Sequence, residues 1–92
     1  MPYVVVEYDI TDNSRRLQVA RKLRNALDWV QRSVYEGEIE PAQVERLITR
    51  VIPLLEEESD TLRIYLLCAS CRRRIRVYGR GGIIEDPDVW IL

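Results

Sequence analysis

The sequence contains no histidine, and its only cysteines are Cys68 and Cys71 in a chain of 92 residues. The absence of histidine removes the most common general base and the most common nitrogen ligand of metal ions. Two cysteines are too few for a disulfide scaffold or for a four-ligand zinc site within one chain. Any chemistry of this protein must therefore depend on carboxylates, hydroxyls and arginines, or on a hard cation.

Long apolar runs are absent too, since no stretch approaches the roughly 20 residues that a membrane-spanning helix needs. The first residues, Met1–Tyr3, lead directly into a strand-like segment without a basic region or a small-residue cleavage site. A composition that is 47% hydrophobic suits one small domain, whose limited core a second copy of the chain would stabilise. We therefore expect a single domain over residues 1–92, acting in the cytoplasm.

A large excess of charge is also missing, because the formal net charge is −1. The charges are nevertheless segregated along the chain: residues 1–35 carry +2, residues 36–60 carry −6, residues 61–84 carry +6 and residues 85–92 carry −3. The third segment contains six arginines and no acidic residue. A protein that is neutral overall can therefore present a basic face to nucleic acid.

The first part of the chain predicts a strand followed by a helix. Residues Tyr3–Ile10 are β-branched and aromatic with nearly continuous apolar character, which is typical of a central strand. The segment Thr11–Ser14 then offers several candidate N-caps. The predicted helix has an apolar stripe at helical spacing, formed by Leu17, Ala20, Leu23 and Leu27.

The middle of the chain predicts a second strand and a second helix. Trp29–Tyr35 has strand character, and Gly37 interrupts it, so periodicity leaves open whether residues 29–40 form one bent strand or two short ones. Pro41 suits the first turn of a helix. Pro53 is expected to kink or end that helix.

Three more strands are predicted, at residues 61–68, at Ile75–Val77 and at Val89–Leu92. Helices that alternate with the strands of one sheet predict an α+β fold, and a ferredoxin-like sandwich with an antiparallel sheet and two helices on one face is the leading candidate. The apolar end Val89–Leu92 is expected to dock on a sheet edge, that of a partner chain in a homodimer.

Several stretches resemble one family. Tyr3–Arg16 is similar to the first strand and helix start of the Cas-two family of CRISPR-associated proteins, in which the strand ends in an aspartate before a short polar loop. Val30–Glu38 is similar to the family's second strand, usually Gln-aromatic-Ser-Val-aromatic-Glu-Gly. Thr61–Cys71 resembles its strand with an Arg-Ile-Tyr core and trailing cysteines. Arg32 departs from the pattern, because the family often has an aromatic residue there.

The resemblance implies a ferredoxin-like protomer, a two-fold dimer whose C-terminal strand crosses to the partner, and assembly with the Cas-one integrase. It implies a magnesium-dependent endonuclease of CRISPR adaptation (spacer acquisition), acting on DNA or RNA. The alternative is an architectural dimer that binds double-stranded DNA and bridges integrase dimers, because one carboxylate per chain and no histidine provide few groups for catalysis. A toxin-like or antitoxin-like RNA nuclease is a third reading, by fold analogy alone.

Asp9 matches the family's magnesium-binding aspartate and lies at the end of the first predicted strand. Mg2+ often takes only one or two protein carboxylates. Two Asp9 side chains near a two-fold axis could share one ion and activate a water or polarise a phosphodiester. A strand-end aspartate that bonds the loop backbone is the structural alternative. Tyr8 points to the opposite face of the strand and is expected in the core.

Arginines are the other candidate site residues. Two of them open the first helix, where guanidinium groups could hold phosphate oxygens. The densest basic stretch follows the last cysteine, and arginine suits contacts with a phosphate backbone. A solvated helix face or turn explains either group equally well. The candidate nucleic-acid-binding residues are Arg15, Arg16, Arg72, Arg73, Arg74 and Arg76.

The motif Cys68-x-x-Cys71 is a weak signal by itself. A zinc site would need the same pair from a partner chain. A thioredoxin-like role needs the motif to open a helix, whereas this one is predicted to end a strand. We therefore expect Cys68 to be a buried structural thiol.

Overall fold

A four-stranded antiparallel sheet carries the helices in the computed structural model, which describes residues 2–79. The sheet order is β2-β3-β1-β4, which is the strand order of a βαββαβ ferredoxin-like unit and confirms the predicted fold class. A short 3-10 turn, Ile52–Leu54, follows the second helix. The elements are β1 (Tyr3–Asp9), α1 (Asn13–Arg24), β2 (Asp28–Gln31), β3 (Val34–Glu38), α2 (Pro41–Val51), β4 (Thr61–Leu67) and α3 (Ala69–Arg72).

The central strand β1 separates two faces of the sheet, because successive side chains point in opposite directions. Val4, Val6 and Tyr8 are buried in the core that α1 and α2 cover. The surface on the other side is here called the open face. By strand register it contains Tyr3, Val5, Glu7 and Asp9 of β1, Glu36 and Glu38 of β3, and Thr61, Arg63, Tyr65 and Leu67 of β4.

Helix α1 begins as the sequence predicts, and Ala20 and Leu23 of the predicted stripe are buried. The Asp12 side chain caps it by accepting a hydrogen bond from the Arg15 N–H at 2.9 Å. Its buried residues are Val19, Ala20 and Leu23. The predicted place of Leu17 in the stripe is wrong, since this residue is 53% exposed, and Leu27 is buried only after the helix has ended at Arg24. The packed stripe is centred between residues 19 and 23, which turns Leu17 towards solvent.

The two prolines frame α2 as predicted. Pro41 is its first residue, and Pro53 lies in the 3-10 turn that ends it. A proline lacks the N–H that an interior helical turn needs, so it is tolerated at the start and stops the helix at the end. Both predictions are confirmed.

Residues 29–40 form two strands rather than one. Strands β2 and β3 pair antiparallel across a turn at Arg32-Ser33, so the continuous strand predicted over Trp29–Tyr35 is wrong. Arg32 has φ 42°, a left-handed conformation that glycine or asparagine usually adopts, and the sequence therefore carries no ordinary turn signal there. Gly37 does not interrupt the strand as predicted but lies within β3. A Cβ added at this position would lie 3.3 Å from Leu27 Cδ2.

The chain leaves the sheet after β4. The short helix α3 follows at once, and the strand predicted at Ile75–Val77 does not form among residues 2–79. A strand persists by pairing, and α3 turns the chain away from β4 before this segment begins. The predicted terminal strand Val89–Leu92 lies outside the described residues. So does Arg80, the last of the six arginines in residues 61–84. Between residues 2 and 79 no helix has the length and apolar character to cross a bilayer.

Candidate functional site

Asp9 is the last residue of β1, opposite Thr61 of β4, and it is exposed on the open face. The adjacent Tyr8 points to the other side and is 5% exposed, which confirms its predicted place in the core. The alternation of the strand thus directs the Asp9 carboxylate away from the packed interior. A carboxylate in this position is accessible to a cation and to a large substrate.

Charged and hydroxyl side chains form a row on the open face, along β1 and β4 from Asp9. Glu7 lies two residues earlier on the same side of β1, and its cross-strand neighbour is Arg63. A hydrogen bond with the Tyr65 hydroxyl and the charge of Glu7 raise the pKa of Arg63. Carboxylates bind hard cations and a guanidinium binds phosphate oxygens, so this row can hold both parts of a metal-bound phosphodiester. The sequence analysis missed Glu7, Arg63 and Tyr65, although the alternation of two paired strands indicates them.

The loop that follows Asp9 is fastened by the buried carboxylate of Asp60. The Glu56 N–H donates to it at 2.9 Å, the Thr11 N–H at 3.3 Å, the Ser59 hydroxyl at 3.2 Å and Arg15 Nη2 at 2.9 Å. These bonds, the Glu56 N–H first, lower the pKa of Asp60 from 3.8 to about 2. Two chain segments that meet at the end of β1 are therefore held together by one ionised group.

This contact gives Arg15 a structural partner that its position in the sequence does not indicate. Its Nε and Nη2 both donate to Asp60 Oδ2, at 3.2 and 2.9 Å, and the side chain is 29% exposed. Arg16 is exposed beside the same loop, where Nη1 donates to the Ile10 carbonyl at 3.3 Å and Nη2 donates to Asn13 Oδ1. The contact of both arginines with nucleic acid stays a prediction.

The other arginine candidates lie elsewhere. Arg72 lies beside Tyr3 at the opposite end of β1, with its guanidinium carbon 4.3 Å from the centre of the Tyr3 ring, and it is ion-paired with Glu38. Arg73, Arg74 and Arg76 follow α3 and are exposed. The fold thus places the arginines at the start of α1 and those after β4 at opposite ends of β1. Arg15 and Arg16 are bonded to groups of the loop after β1, whereas Arg73, Arg74 and Arg76 are exposed and close together in the sequence.

Below Arg72 the open face contains a buried acid. Glu36 is 9% exposed and hydrogen-bonded to the Tyr3 hydroxyl. Burial raises the pKa of Glu36, while the Tyr3 hydrogen bond and the charge of Arg72 oppose the rise. Burial and the neighbouring Glu36 also raise the pKa of Tyr3. This cluster ties β1, β3 and the segment after β4 together, and the sequence analysis did not find it.

Both expectations for the cysteines are wrong. Cys68 and Cys71 are exposed free thiols, and Cys68 immediately precedes the helical turn α3 instead of ending β4. A hydrogen bond with Ser70, whose Oγ lies 3.3 Å from the sulfur, and further hydrogen bonds with Cys71 lower the pKa of Cys68 to about 7. The interaction with Cys68 raises the pKa of Cys71.

A metal ion bound by one chain would find few ligands. No group of three or more histidine, cysteine or acidic residues that could hold a metal occurs within residues 2–79. The exposed oxygen donor of Asp9 nevertheless fits Mg2+, which completes its shell with waters and substrate phosphates.

Comparison with known proteins identifies a common family. The family model described as CRISPR associated protein Cas2 matches residues 1–75. A Chloroflexus aurantiacus protein named CRISPR-associated endoribonuclease Cas2 1 is 39% identical, over 98% of this chain and 99% of that protein. Streptococcus pyogenes Cas2 superposes with a TM-score of 0.71 at 29% identity, over 79% of this chain and 94% of that one.

A further structure shares the fold at low identity. A chain of a structure described as a partial Cas6-RT-Cas1–Cas2 complex superposes with a TM-score of 0.73 at 20% identity, over 94% of this chain and 93% of that chain. The family model spans all three segments whose resemblance the sequence analysis noted, Tyr3–Arg16, Val30–Glu38 and Thr61–Cys71.

Proposed function

This chain belongs to the CRISPR-associated Cas2 family, and on that premise we propose that it acts in CRISPR adaptation as a homodimeric, magnesium-dependent endonuclease. The observation that supports the proposal best is the exposed carboxylate of Asp9 at the end of β1, on the side of the sheet opposite the core that α1 and α2 cover. The Chloroflexus relative is named an endoribonuclease, so RNA is the first substrate that we assign.

The open face supports the dimeric part of the proposal. It combines the 47% exposed Tyr65 with the half-buried Val5 and Leu67. Apolar surface of this kind on a small domain is stabilised when a second copy covers it. A two-fold axis that passes near Asp9 would bring two carboxylates to one ion and supply the ligand that a single chain lacks.

Asp9, Arg63 and Asp60 then have different tasks. Asp9 would hold the ion, which would supply a Lewis acid and a water of lowered pKa. Arg63 holds a non-bridging phosphate oxygen and stabilises the charge that develops there during cleavage. Asp60 does not touch the substrate but fixes the loop on which the position of Asp9 depends.

The test compares Asp9→Asn with Asp12→Asn on defined single-stranded RNA, single-stranded DNA and duplex substrates, in Mg2+ and then with a chelator. Both changes remove one negative charge near the same loop. Asp12→Asn keeps the helix cap, because asparagine caps as well as aspartate. We expect Asp9→Asn to lose at least about a hundredfold in cleavage rate, the scale of one lost electrostatic contact to the transition state, and Asp12→Asn to cleave as the unmodified chain does.

Retention of cleavage by Asp9→Asn, or equal loss in both variants, would contradict the assignment. Melting temperatures measured on the same samples separate a lost ligand from a lost fold. Cleavage of DNA but not RNA would keep the site and change the substrate.

We also propose an architectural role, in which the dimer binds double-stranded DNA and partners the Cas-one integrase. Two observations favour it. Arg73, Arg74 and Arg76 are exposed and lie close together in the sequence. One similar chain comes from a structure described as a partial Cas6-RT-Cas1–Cas2 complex. The acidic segment 36–60 would stay away from the duplex, because like charges repel. This role is independent of Asp9 and is expected to survive Asp9→Asn.

A further inference from the structure

A pocket of about 310 Å³ opens on the helix side of the sheet, lined by Arg24, Trp29 and Tyr35. It lies between the last turn of α1 and the edge strand β2. Neither the metal site nor the arginines after β4 border it. Its volume is at the lower end of small-ligand sites, which suits a planar ring system.

The wall of this pocket is an exposed aromatic ring in a fixed orientation. Trp29 is 58% exposed, and yet its Nε1 donates a hydrogen bond to the Arg32 carbonyl at 2.9 Å. That carbonyl belongs to the left-handed turn between β2 and β3. The indole polar group is therefore satisfied by the protein, while its apolar surface remains available to a ligand.

The floor is rigid. Tyr35 is 3% exposed, and its ring stacks on that of Tyr8 with centroids 6.3 Å apart. Tyr8 and Tyr35 also share a hydrogen bond between their hydroxyls. A ligand that enters the pocket thus meets the exposed side chain of Arg24 and two aromatic side chains held by the fold.

The surroundings select an anion. Helix α1 contains no acidic residue, and it carries Arg15, Arg16, Arg21, Lys22 and Arg24. Burial and the Tyr35 hydroxyl raise the pKa of Tyr8, and the charges of Arg16 and Arg24 oppose this rise, so both guanidinium groups are near the phenol that supports the floor. Positive charge therefore lies along the helix on the side of the pocket. An exposed indole beside such charge favours a nucleotide chain over an uncharged aromatic ligand.

We propose that this pocket binds one unpaired nucleobase, stacked on Trp29, with Arg24 holding a flanking phosphate. The inference rests on the proposed handling of nucleic acid and adds to it a preference for substrates with a single-stranded end or overhang. Stacking tolerates any base, because every base has an aromatic face, so the preference is for unpaired structure and not for sequence.

The test uses tryptophan fluorescence in the full chain with Trp90→Phe, which leaves Trp29 as its one tryptophan. The ligands are a blunt DNA duplex, the same duplex with short single-stranded overhangs, a short single strand and adenosine. Stacking quenches the indole, so we expect quenching by the overhang duplex and the single strand but not by the blunt duplex. The overhang is expected to improve affinity about tenfold, the size of one aromatic stacking contact.

Two variants divide the contributions. Trp29→Leu, followed by fluorescence anisotropy of labelled DNA, should remove the preference for overhangs while leaving binding of the blunt duplex unchanged. Arg24→Gln should weaken the overhang duplex and leave adenosine, which has no phosphate, nearly unaffected. Both side chains are exposed, and melting curves verify that the variants stay folded.

Equal affinities for blunt and overhang duplexes in the unmodified chain would overturn the inference while leaving duplex binding intact. Adenosine that binds as tightly as the single strand would overturn the role of Arg24. If cleavage depends on Asp9 but no ligand quenches Trp29, the pocket does not bind a base, and the proposed nuclease activity is unaffected. Loss of all nucleic-acid binding and cleavage would overturn both.

Discussion

Arg15 and Asp60, 45 residues apart in the sequence, form an ion pair with Nη2 and Oδ2 at 2.9 Å, and the Asp60 side chain is fully buried. The same carboxylate accepts a hydrogen bond from the backbone N–H of Thr11, just before α1, and another from that of Glu56, in the segment before β4. The pair therefore joins the start of α1 to the entrance of β4. These are the two segments that border the last residue of β1, Asp9.

The first prediction concerns the pH dependence of stability. Because the folded pKa of Asp60 is about 2, below its usual 3.8, this group stabilises the fold above pH 3.8 and loses that contribution as the pH falls through about 2. The free-energy difference between the unmodified chain and Asp60→Asn should be constant near neutral pH and shrink below pH 4. Urea unfolding from pH 7 to pH 2 measures it, with the exposed Glu57→Gln as control. A difference that grows towards low pH would contradict this account.

The second prediction separates the buried side of α1 from its exposed side. Leu23 is 1% exposed and Leu17 is 53% exposed, although both lie in the stripe that helical spacing predicts. Leu23→Ala should cost about 3 kcal/mol of unfolding free energy, the usual cost of a cavity at a buried leucine. Leu17→Ala should change it by less than about 0.5 kcal/mol. Chemical denaturation of both variants gives the comparison, and similar losses would show that α1 packs differently.

The third prediction is that the two exposed cysteines react at different rates. With its pKa lowered to about 7, Cys68 is about half thiolate at neutral pH, whereas the pKa of Cys71 is raised. In the unmodified chain, alkylation by iodoacetamide at pH 7 should be at least about tenfold faster at Cys68 than at Cys71. Mass spectrometry of timed samples measures both. Equal rates would show that Ser70 and Cys71 do not stabilise the Cys68 thiolate.

The fourth prediction tests the arginines after β4. Replacing Arg73, Arg74 and Arg76 with alanine should weaken binding to all duplex sequences alike and flatten the salt dependence, by a slope of about 0.9 for each lost phosphate contact. Arg72 is left in place because it is ion-paired with Glu38. The matched control replaces Arg46 and Arg50, two exposed arginines of the acidic segment. If both changes weaken binding equally for each arginine removed, the arginines after β4 form only a solvated turn without a specific contact to the duplex.

The sequence was sufficient where the signal is local. The alternation of Tyr8 and Asp9 predicted which residue is buried, and Pro41 and Pro53 predicted where α2 begins and stops. It failed where conformation or pairing decides. Arg32 takes a left-handed turn without glycine, and Ile75–Val77 has strand character without a neighbouring strand in the described chain.

The candidate site shows the same division. The exposed position of Asp9 at the end of β1 could be predicted from the alternation of the strand, and its role as a metal ligand stays a prediction. The partnership of Arg15 with Asp60 could not be found, because nothing local links residues 45 positions apart. Glu36 was likewise missed, since its burial depends on Tyr3 and Arg72 from distant parts of the chain.

The central claim is that Asp9 of two chains binds one divalent ion, and the stoichiometry of Mn2+ binding tests it most directly. Titration followed by electron paramagnetic resonance should give one bound ion for every two chains, since each chain supplies a single carboxylate. Asp9→Asn should abolish this binding, and Asp12→Asn should retain it. One ion for each chain, or binding that survives Asp9→Asn, would contradict a shared metal site.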